Sequence, residues 1–140
     1  MTRRPAPRPA SRPRAKPARR AWRPSPPALV ATFERATARL PGIERRKMFG
    51  YPAVFARGRM VAGLLRERMV MRLAEPERTR FLAQPGAIPF VAMGRTMREW
   101  VVIPRAVLAS PRALAGWLAK ALAQTRALPP KPARGARRRR

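Results

Sequence analysis

Apolar positions recur between residues 28 and 128 with two periods, and each period predicts one kind of element. Leu29, Phe33, Ala36 and Leu40 fall at i, i+4, i+7 and i+11, one stripe of a helix entered through Ser25-Pro26-Pro27 and stopped by Pro41-Gly42. From Arg46 to Leu73 the period drops to two. Strands are expected at Lys47 to Phe49, Ala53 to Ala56, Arg59 to Leu65 and Arg68 to Leu73, the last with Met69, Met71 and Leu73 facing one way and Arg68 and Arg72 the other. Arg57-Gly58 and Arg66-Glu67 are two-residue spacers, so tight hairpins and antiparallel order follow. A short helix is predicted from Pro76 through Phe81-Leu82 to Gln84, closed by Pro85-Gly86. Two more strands follow, Ile88 to Met93 and Glu99 to Ile103, with Gly94-Arg95 between them. The final helix has Ser110 as its cap and Pro111 in its first turn. Its apolar stripe is Leu114, Trp117, Leu118, Ala121 and Leu122.

Helix, strands, helix, strands, helix is the order of an α+β domain in two layers, an antiparallel sheet of about five to six strands with helices packed on one face. Trp117 is expected to anchor the last helix against that sheet. The predicted domain is residues 28–128.

Charge then separates the ends from the middle. Lys and Arg number 33 against 6 Asp and Glu, a net charge of +27. Residues 1–27 contain nine basic residues, no acidic one and eight of the 18 prolines, and residues 129–140 add six basic residues and three prolines. Such segments bury too little apolar area to offset the entropy of ordering, so both are expected to be disordered basic tails. Cations without acids neutralise phosphates and release counterions, which predicts sequence-independent nucleic-acid affinity. The candidate contacts are Arg3, Arg4, Arg8, Arg12, Arg14, Lys16, Arg19, Arg20 and Arg23 in the first tail. In the second they are Lys131, Arg134, Arg137, Arg138, Arg139 and Arg140. GC-rich coding would also enrich Arg, Ala and Pro, but does not by itself remove Glu from the tails.

The chain has no Cys, His or Asp. Thiol chemistry, His-dependent triads and Cys/His zinc sites are thereby excluded. The only close carboxylates, Glu75 and Glu77, sit where a helix N-terminus attracts negative charge. A non-enzymatic protein without cofactor or metal is expected. Methionines 48, 60, 69 and 71 have strand periodicity and read as core rather than as a soft-metal surface. The first 22 residues lack the apolar run of a secretory signal, their prolines oppose an amphipathic transit helix, and no run reaches the roughly 20 residues of a membrane span. A cytoplasmic, soluble protein is the expectation.

Lys47-Met48-Phe49-Gly50-Tyr51, a hairpin with Phe55, Gly58, Met60 and Val61, and then Met69-Val70-Met71-Arg72-Leu73 resemble the N-terminal domain of the TfoX/Sxy competence-regulator family. Pro89-Phe90, Met97, Trp100-Val101-Val102-Ile103-Pro104 and the helix bearing Trp117 continue the resemblance over roughly residues 28–128. Tyr51 stands where many members have glycine. The resemblance implies the two-layer fold and a regulatory role. Longer members carry a second, helical domain and act in DNA-uptake competence with the cyclic-AMP receptor protein, so a transcription regulator is the protein partner implied. No catalytic residue carries over.

Within the motif, Lys47, Met48, Phe49 and Gly50 can be read in two ways. Gly50 could admit a ligand close to the backbone, with Lys47 supplying charge and Tyr51 a stacking face. Alternatively Met48 and Phe49 are core residues and Gly50 serves a turn. The function expected is an interaction module held near nucleic acid by its tails. The alternatives are a general binder of anionic surfaces such as RNA or acidic lipid, or a small-molecule or enzymatic role in a cleft.

Overall fold

The computed structural model describes residues 22–129. In chain order the elements are α1 (Pro27–Thr37), β1 (Glu44–Met48), β2 (Tyr51–Ala56), β3 (Arg59–Leu65), β4 (Arg68–Arg72), α2 (Glu77–Leu82), β5 (Ile88–Ala92), β6 (Arg95–Val102), α3 (Arg105–Leu108) and α4 (Pro111–Arg126). The strands form one sheet in the order β1-β2-β3-β4-β6-β5, every pairing antiparallel. This is the α+β architecture that the periodicities predict.

Turn chemistry sets the hairpins. Phe49-Gly50, Arg57-Gly58 and Met93-Gly94 have positive φ at both residues, the type I′ pattern whose twist matches that of the flanking strands. At Arg66-Glu67 only Arg66 is left-handed, at φ 57°. Some expected bounds shift. β1 is Glu44–Met48 rather than Lys47 to Phe49, because Phe49 belongs to the turn. β6 begins at Arg95, four residues before the expected Glu99. The four-residue α3 has no periodicity that could announce it.

Strand register divides the side chains. Val54, Ala56, Ala62, Leu64, Met69, Met71 and Val101 join Phe33 of α1 and Leu114, Leu118, Ala121 and Leu122 of α4 in one buried core. The pairs Ala53 with Gly63 and Val54 with Ala62 give way to Phe55 with Met60, so Val61 is an extra residue at a β-bulge. Val61 is fully buried in the core. The other row across the sheet, Arg46, Ala53, Gly63, Val70, Val102 and Ile88, lies on the opposite face. There the Arg46 guanidinium lies 4.8 Å from the centre of the Phe55 ring and that of Arg72 4.7 Å from Trp100.

Helix ends and helix interiors follow their local chemistry. Ser110 Oγ accepts the Ala113 amide at 3.2 Å, which satisfies one orphan donor of α4. Ser110→Ala is expected to cost about 1 kcal/mol in urea denaturation, whereas Ser110→Asp should cost far less; equal losses would contradict a capping role. Thr37 and Thr125 are fully buried on α1 and α4, and each hydroxyl donates at 2.8 Å to the carbonyl four residues earlier. Trp117 departs from its expected place. It is only partly buried, and its ring meets Phe81 of α2 edge-on at 4.9 Å between centroids. The α4 residues that seat the helix on the sheet are the smaller Leu114, Leu118, Ala121 and Leu122.

The folded part also begins earlier than residue 28. Within the expected tail of residues 1–27, Trp22 and Arg23 are held by the ring and the hydroxyl of Tyr51, and Ser25 is buried. Residues 1–21 and 130–140, and the disorder expected of them, lie outside the described residues.

Candidate interaction surfaces

The motif Lys47-Met48-Phe49-Gly50-Tyr51 forms the tip of the β1–β2 hairpin. The left-handed turn at Phe49 (φ 55°) and Gly50 (φ 84°) turns the Phe49 side chain outward, where it is 79% exposed. Tyr51 is turned inward and is 4% exposed. Its hydroxyl donates to the Arg23 carbonyl at 2.6 Å, and its ring lies 5.2 Å from that of Trp22. Trp22 Nε1 in turn donates to the Phe49 carbonyl at 3.2 Å. A Cβ on Gly50 would come within 3.0 to 3.3 Å of the Trp22 ring. The close approach that Gly50 allows is therefore made by the chain's own Trp22.

This geometry corrects part of each reading, while Gly50 does serve a turn. Tyr51 is no open stacking face, since its ring is packed and its hydroxyl engaged. Phe49 is no core residue, and Met48 is only partly buried. Lys47 is exposed and has no ion pair among the described residues. Sequence reasoning missed Trp22, although it is the one aromatic residue in positions 1–27. Tyr51→Phe is expected to cost about 1 kcal/mol and to raise the susceptibility of the Arg23 region to limited proteolysis, since one hydrogen bond across 28 residues is lost. An unchanged cleavage pattern would show that the bond does not hold this segment.

Charge is the second feature. Residues 22–129 contain 19 Lys and Arg and six Glu. Five glutamates are ion-paired: Glu34 with Arg45, Glu44 with Arg46, Glu99 with Arg72, Glu75 with Arg78 and Glu77 with Arg80. Glu75 Oε1 also accepts both the hydroxyl and the amide of Thr79, bonds that hold its carboxyl below the usual carboxylate range. Glu75 and Glu77 are thus engaged at the start of α2 with different partners. Fourteen described cations have no carboxylate within ion-pair distance.

Three of these gather where α4 ends. Arg57 donates to the Arg126 carbonyl at 2.9 Å, Arg59 to the Pro129 carbonyl at 2.7 Å, and Arg126 to the Pro41 carbonyl at 2.8 Å. Cations at a helix C-terminus meet the negative end of its dipole. The chain enters its second tail from this cluster. Of the tail residues proposed as nucleic-acid contacts, only Arg23 lies within the described residues, and it is exposed.

A groove of about 730 Å³ runs between the end of α1 and α4, lined by Ala36, Leu40, Leu108, Leu114 and Ala115 with Arg35 and Arg39 among its polar groups. No carboxylate lines it. Of the four methionines whose spacing reads as core, Met69 and Met71 are fully buried in it, whereas Met48 and Met60 are only partly buried and lie outside it. No helix of the described residues is long and apolar enough to cross a membrane.

Comparison with known families adds one finding. The family model described as the TfoX N-terminal domain matches residues 35–125, well over half of the chain, from the last turn of α1 to the last turn of α4. No curated protein matches the chain.

Proposed function

The chain belongs to the TfoX N-terminal domain family, and on that premise we propose that it is a non-enzymatic regulatory or interaction module that its cations hold against nucleic acid. The observation that carries this reading is the charge remainder. Five of six glutamates are used internally, and fourteen cations of the described domain are left for an external anion. The tails add a further fourteen Lys and Arg at positions 1–21 and 130–140 with no acid. Phosphate neutralisation by such a surface is sequence-independent and strongly salt-dependent. The non-enzymatic part is supported by the site chemistry: each of the close carboxylates Glu75 and Glu77 has an arginine partner of its own, and the groove offers no acid or base at neutral pH.

The test is fluorescence anisotropy of the full chain with random-sequence duplex DNA between about 50 and 200 mM salt. Six to ten phosphate contacts predict an affinity falling by about 10³–10⁵ over that range. Absence of binding at the lowest salt overturns the reading. Equal or tighter binding to vesicles of acidic lipid would replace nucleic acid by anionic surfaces in general.

A further inference from the structure

The hairpin of β5 and β6 reaches beyond the sheet. β4 pairs with β6 only through Trp100, Val101 and Val102, with the Leu73 amide donating to the Glu99 carbonyl just beyond them at 2.9 Å; past that point Thr96 and Arg95 pair with Val91 and Ala92 of β5, and Met97 to Trp100 stand opposite Phe90 alone in a bulge. All five residues from Arg95 to Glu99 are exposed. Four of the six large hydrophobic side chains exposed among the described residues, Ile88, Val91, Met93 and Met97, belong to this one hairpin, with Met93 at its tip 89% exposed. Val91, Met93 and Met97 lie in the projecting part, which also carries Arg95 and Arg98, neither of them ion-paired. Glu99, the arm's one acid, is held at its root by Arg72 at 2.6 Å.

Resting on the nucleic-acid reading above, we infer that this two-stranded arm is a β-ribbon that enters the major groove of duplex DNA. Paired strands are about 4.8 Å apart, and β5 from Pro89 to Ala92, which sets the two-stranded length, extends about 10 Å. A major groove about 12 Å wide and 8.5 Å deep admits such a ribbon. Its chemistry fits the groove walls and floor. Arg95 and Arg98 meet phosphates or guanine edges, and the exposed Val91, Met93 and Met97 meet thymine methyl groups. The arm also points the right way. Arg72 pairs with Trp100 and donates to the Met60 carbonyl, which places the arm at the same end of the sheet as the Arg57-Gly58 turn, Arg59 and the start of the second tail at Pro129. A ribbon in the groove therefore has further cations beside it.

Other occupants fit less well. A second copy would set Arg95 and Arg98 against themselves on a chain of net charge +27. A bilayer asks for a continuous apolar face, which Arg95, Thr96 and Arg98 interrupt.

The experiment compares three variants of the full chain by anisotropy with random duplex DNA. Arg95→Ala/Arg98→Ala is expected to lose at least about tenfold in affinity, with the log–log salt slope smaller by about 2. Arg35→Ala/Arg39→Ala removes the same charge from α1 and is expected to lose about twofold or less. Met93→Ser/Met97→Ser should weaken binding several-fold at an unchanged slope. Methyl green, which occupies the major groove, should compete, and netropsin in the minor groove should not. Equal losses for the two arginine pairs, competition by netropsin alone, or a methionine effect confined to anionic vesicles or to self-association overturns the arm assignment while leaving the charge reading intact. Failure of the unmodified chain to bind overturns both. Unchanged circular dichroism of the variants, expected because all four arm positions are exposed, confirms that folding is not what is read.

Discussion

Truncating Phe81 to alanine is expected to lower the unfolding free energy by about 3–5 kcal/mol, against about 1.5–3 kcal/mol for Trp117→Ala. Phe81 is fully buried, and its loss opens a cavity that the short α2 cannot close, whereas Trp117 keeps part of its ring in water with Lys120 5.8 Å above it. Their edge-to-face contact should appear as a coupling of about 0.5–1.5 kcal/mol in a double-mutant cycle followed by chemical denaturation. A larger loss for Trp117→Ala than for Phe81→Ala would return the tryptophan to the anchoring role that its place in the helical stripe predicts. The ranking matters because it says which helix the large ring serves: Trp117 fastens α2 to α4, and the leucines fasten α4 to the sheet.

That displacement shows what periodicity reports. A stripe at i, i+3 and i+4 identifies the face of α4 that is covered, but says nothing of which neighbour covers each position. The central strands were legible because burial imposes alternation on them, as at Met69, Met71 and Leu73. At the sheet margins that constraint lapses. Glu44-Arg45-Arg46-Lys47 forms an edge strand with no apolar alternation, and charged residues there are what keeps an edge from pairing with other chains. Arg95 to Glu99 form a strand exposed along its whole length, so no core selects their side chains. The bulge at Val61 is equally silent in sequence, since an extra apolar residue among apolar residues does not change the pattern.

The candidate site was legible in location more than in orientation. The motif at 47–51 marks the hairpin tip, but the left-handed φ of Phe49 exchanges the expected places of Phe49 and Tyr51. An aromatic residue held in that conformation is uncommon and depends on surrounding contacts, here the Trp22 indole on the Phe49 carbonyl. Trp22 comes from 27 residues away, and no local pattern encodes such a contact. Charge was legible in amount but not in availability. Three of the five ion pairs join residues two or three apart, but Glu34 with Arg45 and Glu99 with Arg72 become visible only when the elements are set beside one another.

The root of the arm is where this electrostatic arrangement should be most costly to disturb. The Arg72 guanidinium is drawn out of water, and burial holds its pKa below the usual arginine value; the charge and hydrogen bond of Glu99 oppose that effect, and the like charge of Arg59 adds to it. At neutral pH Arg72 remains a cation, so replacing Glu99 by glutamine leaves a largely buried charge facing Arg59 with its counterion gone. Glu99→Gln is expected to cost about 1–2 kcal/mol in urea denaturation, discounted from a fully buried pair because Glu99 is half exposed. Arg72→Met should cost less than Glu99→Gln, since it retains the packing on Trp100 while removing the charge that needed a partner. In the Arg72→Met background, Glu99→Gln should then cost under about 0.5 kcal/mol. Equal cost in both backgrounds would mean that Glu99 stabilises the arm through something other than Arg72. The predicted pattern would instead make this pair the joint that fixes a solvent-exposed, cationic ribbon to a rigid sheet.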